Sequence, residues 1–205
     1  MQQVIQLPQK HQQGGYTLVE LAIAVAILAV LIVSGLSGVQ GILTSGKVND
    51  QIKTVAKLNS KVSANFSSTT TSGITSATVA NLGGWESGKF SVTGGVTTIK
   101  SAFNTAEFLT PNTAAIKDMA ANAGFIYTIT GVPTAACPDL ANGLNSLTYG
   151  ISIQTAAATP AAITAYPTTN LVKPAGSSSI DATTLATACS QTGANAYDFV
   201  IALKP

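Results

Sequence analysis

One acidic side chain stands at the start of a long apolar segment near the amino terminus. Glu20 follows the block Gly14-Gly15-Tyr16-Thr17-Leu18-Val19, and residues 21–43 after it carry no charge. As a helix, that run is long enough to cross the roughly 30 Å hydrocarbon core of a bilayer. A carboxylate in apolar surroundings needs a partner, and the next cation along the chain is Lys47. A cut just before Tyr16 would create an amine that could pair with Glu20, on the same chain or on a neighbour.

The other chemically capable residues do not form a catalytic set. His11 is the only histidine, and no serine has the sequence context of a nucleophile elbow. Residues 41–47 nearly match a phosphate-binding loop, but Val48 replaces the Ser or Thr that would bind magnesium. A calcium site would require several single acids and carbonyl oxygens to converge; these acids are Asp139, Asp181 and Asp198. We predict no metal site, cofactor or enzymatic activity.

The segment from Gly15 to Glu20 resembles the type III signal of type IV pilins and their relatives. The resemblance implies that prepilin peptidase cuts between Gly15 and Tyr16 and that the amine of Tyr16 is methylated. It also implies that Glu20, with Thr17 and Leu18, takes part in assembly, and that the chain has an N-in, C-out topology. Tyr16 stands where the family usually has Phe or Met.

Plainer interpretations of the same segment account for less of it. Residues 1–15 lack the apolar region of a secretory signal peptide. A double-glycine leader of the bacteriocin type precedes short peptides, whereas nearly the whole chain follows Gly15. An ordinary single-pass anchor explains residues 21–43 but leaves Glu20 and its context unexplained.

We therefore expect three parts. Residues 1–15 are a leader removed by prepilin peptidase, residues 16–46 are the hydrophobic transmembrane and filament-core half of an N-terminal helix, and residues 47–205 form a globular head. Without the leader, nine lysines balance eight acids, and the chain has no arginine. This near-neutral charge argues against nucleic-acid binding and suits a subunit that packs against copies of itself.

The apolar run continues into an amphipathic helix that we expect to end near Phe66. One face carries large apolar residues, which are Val48, Ile52, Val55, Val62 and Phe66. Another face carries lysines at four-residue intervals, which are Lys53, Lys57 and Lys61. Glycines between the halves predict either flexibility and bending or close helix packing; they are Gly35, Gly38, Gly41 and Gly46.

The remainder predicts an α+β head in which an antiparallel sheet packs on the long helix. The resemblance implies the type IV pilin fold. Ser- and Thr-rich residues 67–78 predict a surface loop outside the core, and Trp85 is expected to fill a gap between loop and helix. Short helices are expected from Asn112 or Thr113 to Ala121, near Pro138 and after Asp181. Strands are predicted at 89–93 and 96–102 around a Gly94-Gly95 turn, and at 125–130, 147–153 and 197–203.

Cys137 and Cys189 are the only cysteines, and the topology implied by the resemblance places both outside the cytoplasm. An even count in an oxidising compartment predicts a disulfide, with two free buried thiols as the alternative. Residues 135–140, 149–153 and 185–189 resemble the matching segments of type IVb pilins such as bundle-forming pilin. In that group a C-terminal disulfide encloses a large variable region.

The resemblance implies a major pilin that starts in the inner membrane and becomes part of an extracellular pilus. Its implied partners are copies of itself in a helical filament, prepilin peptidase, the inner-membrane pilus assembly platform, and the membrane before assembly. Adhesion, aggregation, motility, conjugation and DNA uptake are all roles of such fibres. The alternatives are a pseudopilin of a type II secretion system, a minor pilin or tip adhesin, and an enzyme tethered by a pilin-like anchor.

Overall fold

The structure is a computed structural model that describes residues 17–66, 71–93 and 96–205. Its contacts divide the chain into two units, residues 1–42 and residues 43–205. Helix α1, Leu18–Asn65, contributes residues to both units. In the first unit, α1 exposes every side chain that is described, and most of them are apolar.

In the second unit, the remaining part of α1 is amphipathic, as its sequence predicts. Its apolar face is buried in the main core through Val48, Val55, Leu58 and Val62, whereas the lysines of the opposite face are exposed. The helix ends at Asn65, whose side-chain amide donates to the carbonyl of Lys61 at 2.8 Å. Burial of this apolar stripe holds α1 against the sheet of its own head.

Seven strands of the described residues form one sheet in which neighbours pair antiparallel, in the order β1-β2-β3-β4-β7-β5-β6. The strands are β1 Phe90–Thr93, β2 Val96–Lys100, β3 Ala106–Pro111, β4 Phe125–Pro133, β5 Gly150–Thr155, β6 Leu171–Lys173 and β7 Ala196–Leu203. The α+β prediction is confirmed, and Thr93 pairs with Val96 as a hairpin requires. The Gly94-Gly95 turn itself lies outside the described residues.

The central strands are buried on both faces. On one face their large side chains pack with α1 and the short helices, as shown by Tyr127, Phe199 and Ile201. On the other face, Ile126 and Val200 pack under residues of two long loops. The short helices are α2 Ser76–Asn81, α3 Cys137–Leu144 and α4 Ala182–Ala188, and a 3-10 turn, Thr134–Ala136, leads into α3.

Two of the predicted short helices are confirmed at their starts. Pro138 lies in the first turn of α3, where its missing N–H costs nothing because that group has no partner inside a helix. Asp181 caps α4, and its Oδ1 accepts a hydrogen bond from the Thr184 N–H at 2.7 Å.

The helix predicted from Asn112 or Thr113 to Ala121 is wrong. Asn112 is buried, and its side chain closes a loop by donating to the Ala120 carbonyl at 2.8 Å and accepting from the Gly124 N–H at 2.8 Å. Lys117 adopts a positive φ of 51°, which a right-handed helix does not allow. Local side-chain bonding has replaced the helix that the cap signal suggested.

The surface loop predicted for residues 67–78 is correct only in part over its described residues. Residues 71–75 form neither helix nor strand, and Ser72, Gly73 and Thr75 are exposed, but the other residues do not fit a surface loop. Ile74 is fully buried, and residues from Ser76 onward form α2, which Thr75 caps by accepting from the Thr78 N–H at 3.1 Å. Thr71 is buried because its hydroxyl donates to the Gly124 carbonyl at 2.7 Å. Hydroxyl side chains with backbone partners can therefore line a core that composition alone did not indicate. Residues 67–70 lie outside the described residues.

Candidate processing and assembly site

Thr17 and Glu20 form a capping box at the start of α1. The Thr17 N–H and hydroxyl both donate to Glu20 Oε2 at 3.0 Å, and the Glu20 N–H donates to Thr17 Oγ1 at 3.3 Å. The two side chains thus satisfy backbone amides that have no partner inside a helix. Two of the three proposed assembly residues are therefore in direct contact, and the third, Leu18, is 85% exposed.

The proposed cleavage point lies outside the described residues. Neither Gly15 nor Tyr16 has a described position, so cleavage between them and methylation of Tyr16 stay predictions. The capping box nevertheless marks where the helix begins: Thr17 is the capping residue and α1 starts at Leu18. Thr17 is also the residue immediately after Tyr16.

The apolar half of α1 is a continuous helix with an exposed surface. By length and composition, α1 contains a segment able to cross a membrane, and none of that segment is buried against the rest of the chain. The glycines singled out for flexibility, Gly35, Gly38 and Gly41, lie within the helix without breaking it. Apart from adjacent residues and the nearby backbone of α1 itself, no described part of the chain lies within 4 Å of a Cβ built at any of the three. Their role in bending or close packing remains a prediction.

Cys137 and Cys189 form the predicted disulfide, with Cα atoms 5.8 Å apart. Cys137 is the first residue of α3, and Cys189 is the C-cap of α4. The bond therefore joins the start of one short helix to the end of the other, and the chain between them contains β5 and β6. The confirmed pairing bounds the C-terminal region of the head.

A buried polar network between α1 and the sheet was missed by the sequence reasoning. Glu107 on β3 accepts hydrogen bonds from the Gln51 side-chain amide at 2.6 Å and from Trp85 Nε1 at 3.1 Å. Gln51 also donates to the Tyr127 hydroxyl at 3.2 Å and accepts from the Ala102 N–H at 2.9 Å. Trp85 fills the expected place between loop and helix, where its indole N–H also has a partner.

The electrostatics of this network follow from its burial. Desolvation raises the pKa of Glu107, and hydrogen bonds from Tyr127, Gln51 and Trp85 oppose that rise only in part. The pKa of Tyr127 is raised as well, by its own burial first and by the nearby Glu107 charge second. The only signal in the sequence was Gln51, a polar residue on the apolar face of α1.

A second polar residue missed from the sequence is Lys173, which is buried in β6. Its ammonium group donates to the carbonyl of Thr148 at 2.6 Å and to the carbonyl of Asn145 just beyond the end of α3. Burial lowers the pKa of Lys173. The side chain therefore satisfies carbonyl groups near the end of α3 and ties β6 to it.

The three acids considered for calcium have separate structural roles or positions. Asp198 accepts from the Gly131 N–H at 2.8 Å and from the Ala157 N–H at 3.0 Å, at a bulge between β4 and β7 where Gly131 has a φ of 62°. Asp181 is the cap of α4, and Asp139 is exposed in α3. Among residues 17–66, 71–93 and 96–205, no three His, Cys, Asp or Glu side chains form a metal-binding cluster.

The amino-terminal region matches a known family profile. Residues 10–36 match the family described as "Prokaryotic N-terminal methylation motif". The match covers Gly15, Tyr16, Thr17 and Glu20. A search of curated protein sequences gives no significant match.

The fold over about three quarters of the chain is similar to crystal structures of type IV pilins. The type IVb pilin from Salmonella typhi is 17% identical, with a TM-score of 0.52, and the alignment covers 76% of this chain and 98% of that one. TcpA, a type IV pilin from Vibrio cholerae El Tor biotype, is 15% identical, with a TM-score of 0.51, covering 77% of this chain and 98% of TcpA. The chain therefore has the type IV pilin fold and carries the methylation motif of prokaryotic prepilins.

Proposed function

We propose that this chain is a structural subunit that polymerises into a type IV pilus on the bacterial surface. The observation that carries the proposal is the exposed apolar half of α1. Much of it lies within residues 10–36, which match the methylation motif, and it belongs to a chain whose fold is that of type IV pilins. In lipid this surface is solvated by hydrocarbon, and outside lipid it requires neighbouring copies to cover it.

The proposed mechanism has three steps. The precursor inserts in the inner membrane, prepilin peptidase cuts between Gly15 and Tyr16, and the assembly platform extracts the methylated chain into a helical filament. Relative to a subunit whose helix is exposed to water, burial of residues 21–43 against other copies would stabilise the filament by roughly 25 cal/mol for each Å² of apolar surface covered. The resulting fibre would serve surface functions such as adhesion, aggregation, conjugation or DNA uptake.

Glu20 would select the position of each new subunit. Its bonds to Thr17 end on Oε2, and the charge of the carboxylate remains to attract the N-terminal amine of an adjacent subunit. An unpaired carboxylate inside the filament core would be strongly disfavoured, so only an arrangement that pairs it would persist. Thr17 keeps the carboxylate at the helix start, close to where that amine would lie.

Two substitutions at Glu20 separate this pairing from simple helix capping. Glu20→Val removes both the charge and the capping box, whereas Glu20→Gln removes the charge and retains a side chain that completes a capping box. We expect both variants to be made and cut like the wild type but to leave sheared surface fibres at least tenfold depleted in the subunit. The measurement is immunoblotting of sheared and cellular fractions.

Thr17→Ala is the matched control, since it removes the hydroxyl of the capping box and keeps the Glu20 charge. It should weaken the helix start while leaving more fibre than either Glu20 variant. Normal fibre from Glu20→Gln would reject charge pairing and leave capping as the role of this side chain. Absence of the wild-type chain from sheared fibres, or its presence there only in traces, would reject the proposal of a major subunit.

A further inference from the structure

The β1–β2 hairpin presents apolar side chains that the head does not cover. Val92 is 58% exposed and Val96 is 66% exposed, although both belong to strands. Val92 pairs with Thr97, and Val96 pairs with Thr93. Because side chains alternate along a strand, the two valines point to opposite faces of the hairpin. Each face of the hairpin therefore carries one exposed valine beside a threonine of the paired strand.

A groove between α3 and α4 offers an apolar surface that could contact the exposed valines of the hairpin. It encloses about 360 Å³, several times the volume of a valine side chain. Its lining is mostly apolar and comes from both helices and the residues just before α4; it includes Pro138, Asn142, Ile180, Ala182, Leu185 and Ala186. The disulfide joins the two helices and so keeps the two walls together.

The hairpin and the groove belong to opposite edges of the sheet. Strand β1 forms one edge and β6 the other, and α4 packs against β6. One chain therefore cannot be expected to fill its own groove with its own hairpin. A second copy can do so, and the resulting pair would still have one free hairpin, on one copy, and one free groove, on the other. A head-to-tail contact of this kind generates an open helical filament where successive rotations do not close into a ring.

Charges beside the two surfaces are complementary. Lys89 and Lys100 lie at the base of the hairpin, where the Lys100 N–H donates to the Lys89 carbonyl at 2.8 Å. Glu86 lies near them and reduces the positive charge by one. Exposed Asp139 and Asp181 lie beside groove residues, and hydrogen bonds from Thr184 lower the pKa of Asp181, so it is ionised at neutral pH.

Lys173 bonds to the carbonyl of the groove residue Asn145, and its positive charge reduces the negative charge there. Its ammonium group donates to the backbone carbonyls of Asn145 and Thr148, and the residue is buried. The groove keeps an excess of negative charge and the hairpin an excess of positive charge. Rim charges of this kind orient two surfaces more than they add affinity.

We propose that the β1–β2 hairpin of one subunit inserts into the α3–α4 groove of a neighbouring copy in the filament. The proposal rests on the proposed function, because it names the contact between heads in the same fibre. The valines would contact the two walls, and Lys89 and Lys100 would lie near Asp139 and Asp181 of the next copy. The occupant of the groove is a second copy of this chain.

Cysteine cross-linking of assembled fibres tests the contact. The double variant Val92→Cys with Ala186→Cys places one thiol on the hairpin and one on the groove wall of every full-length subunit. Mild oxidation of sheared fibres should give a ladder of covalent oligomers extending beyond dimers on non-reducing gels. Peptide mapping should find a cross-link between positions 92 and 186. Fibres mixed from the two single variants should give dimers and no longer ladder.

Each single variant alone is the control and should remain monomeric after oxidation, because a head-to-tail contact does not bring two identical positions together. If the double variant assembles fibres in wild-type amounts but gives no 92–186 cross-link, the hairpin contact is overturned and the proposed function stays intact. The same holds if Val92→Asp with Val96→Asp assembles to wild-type amounts. If the wild-type chain forms no fibres, the proposed function fails and this contact fails with it.

Discussion

Glu107 shows how a single buried residue can make the head sensitive to pH. Its carboxylate joins α1 to the sheet through Gln51, Trp85 and Tyr127, and burial raises its pKa. The folded head therefore holds the Glu107 proton more tightly than the unfolded chain does. This contribution to stability is fully present below the unfolded pKa and falls as pH rises toward the folded pKa.

Replacing Glu107 with Gln should remove that part of the pH dependence. Because of Glu107, we expect the free energy of unfolding of the wild-type head to be higher at pH 4.5 than at pH 7.5. Glu107→Gln, which cannot ionise, should lose less stability between those two values. The measurement is urea unfolding of the detergent-solubilised chain at both pH values, followed by the fluorescence of Trp85, the only tryptophan.

Glu86→Gln is the matched control, since it removes one exposed negative charge next to Trp85 without touching the network. An identical change in urea midpoint between the two pH values for the wild type and Glu107→Gln would contradict the assigned role of Glu107. So would a Glu86→Gln variant that flattened the pH response as much as Glu107→Gln.

At the residue scale, sequence reasoning found what was visible locally. Cys137 and Cys189 could be paired because they are the only two, and Glu20 stood out against an apolar run. Glu107 and Lys173 could not be recognised, because each looks like an ordinary surface charge until the fold buries it. Their partners include backbone carbonyls and side chains from distant segments, which no local pattern specifies.

The disulfide acts at the scale of elements by tying α3 to α4. It closes a loop with a sequence separation of 52, which includes β5, β6 and the connection between them. Restricting the unfolded chain over a loop of this length is worth about 4 kcal/mol on an entropic argument. The groove walls belong to these same helices, so the bond also supports that surface.

Replacing both cysteines with serine should lower the free energy of unfolding of the head by about 4 kcal/mol, for the entropic reason given above. The measurement is urea unfolding of the solubilised chain with and without reductant. Reductant should destabilise the wild type and leave the double serine variant unchanged. A wild-type midpoint that did not move on complete reduction, verified by thiol labelling, would contradict this role of the bond.

Elements with strong local signals were predictable, and elements fixed by distant contacts were not. The hairpin of β1 and β2, the alternating strand β4 and the caps of α3 and α4 follow from their own residues. Strand β3 was missed because it contains Glu107 and ends in Pro111, and β6 because three residues carry no period. The supposed helix after Asn112 is instead a loop held by that side chain.

At the scale of the whole molecule, the chain combines two units with different surfaces. The first unit exposes an apolar helix, and the second has a closed core with charged and hydroxyl groups outside. The low charge of the whole chain, 9% of residues, favours close packing of copies over repulsion between them. A filament that buries the helices and joins the heads would use both surfaces.

Mass spectrometry of the subunit in sheared surface fibres tests this account most directly. It should find an abundant chain that begins at N-methylated Tyr16 and contains the Cys137–Cys189 bond. Finding the native chain only as dispersed soluble monomers, or still beginning at Met1, would contradict the account.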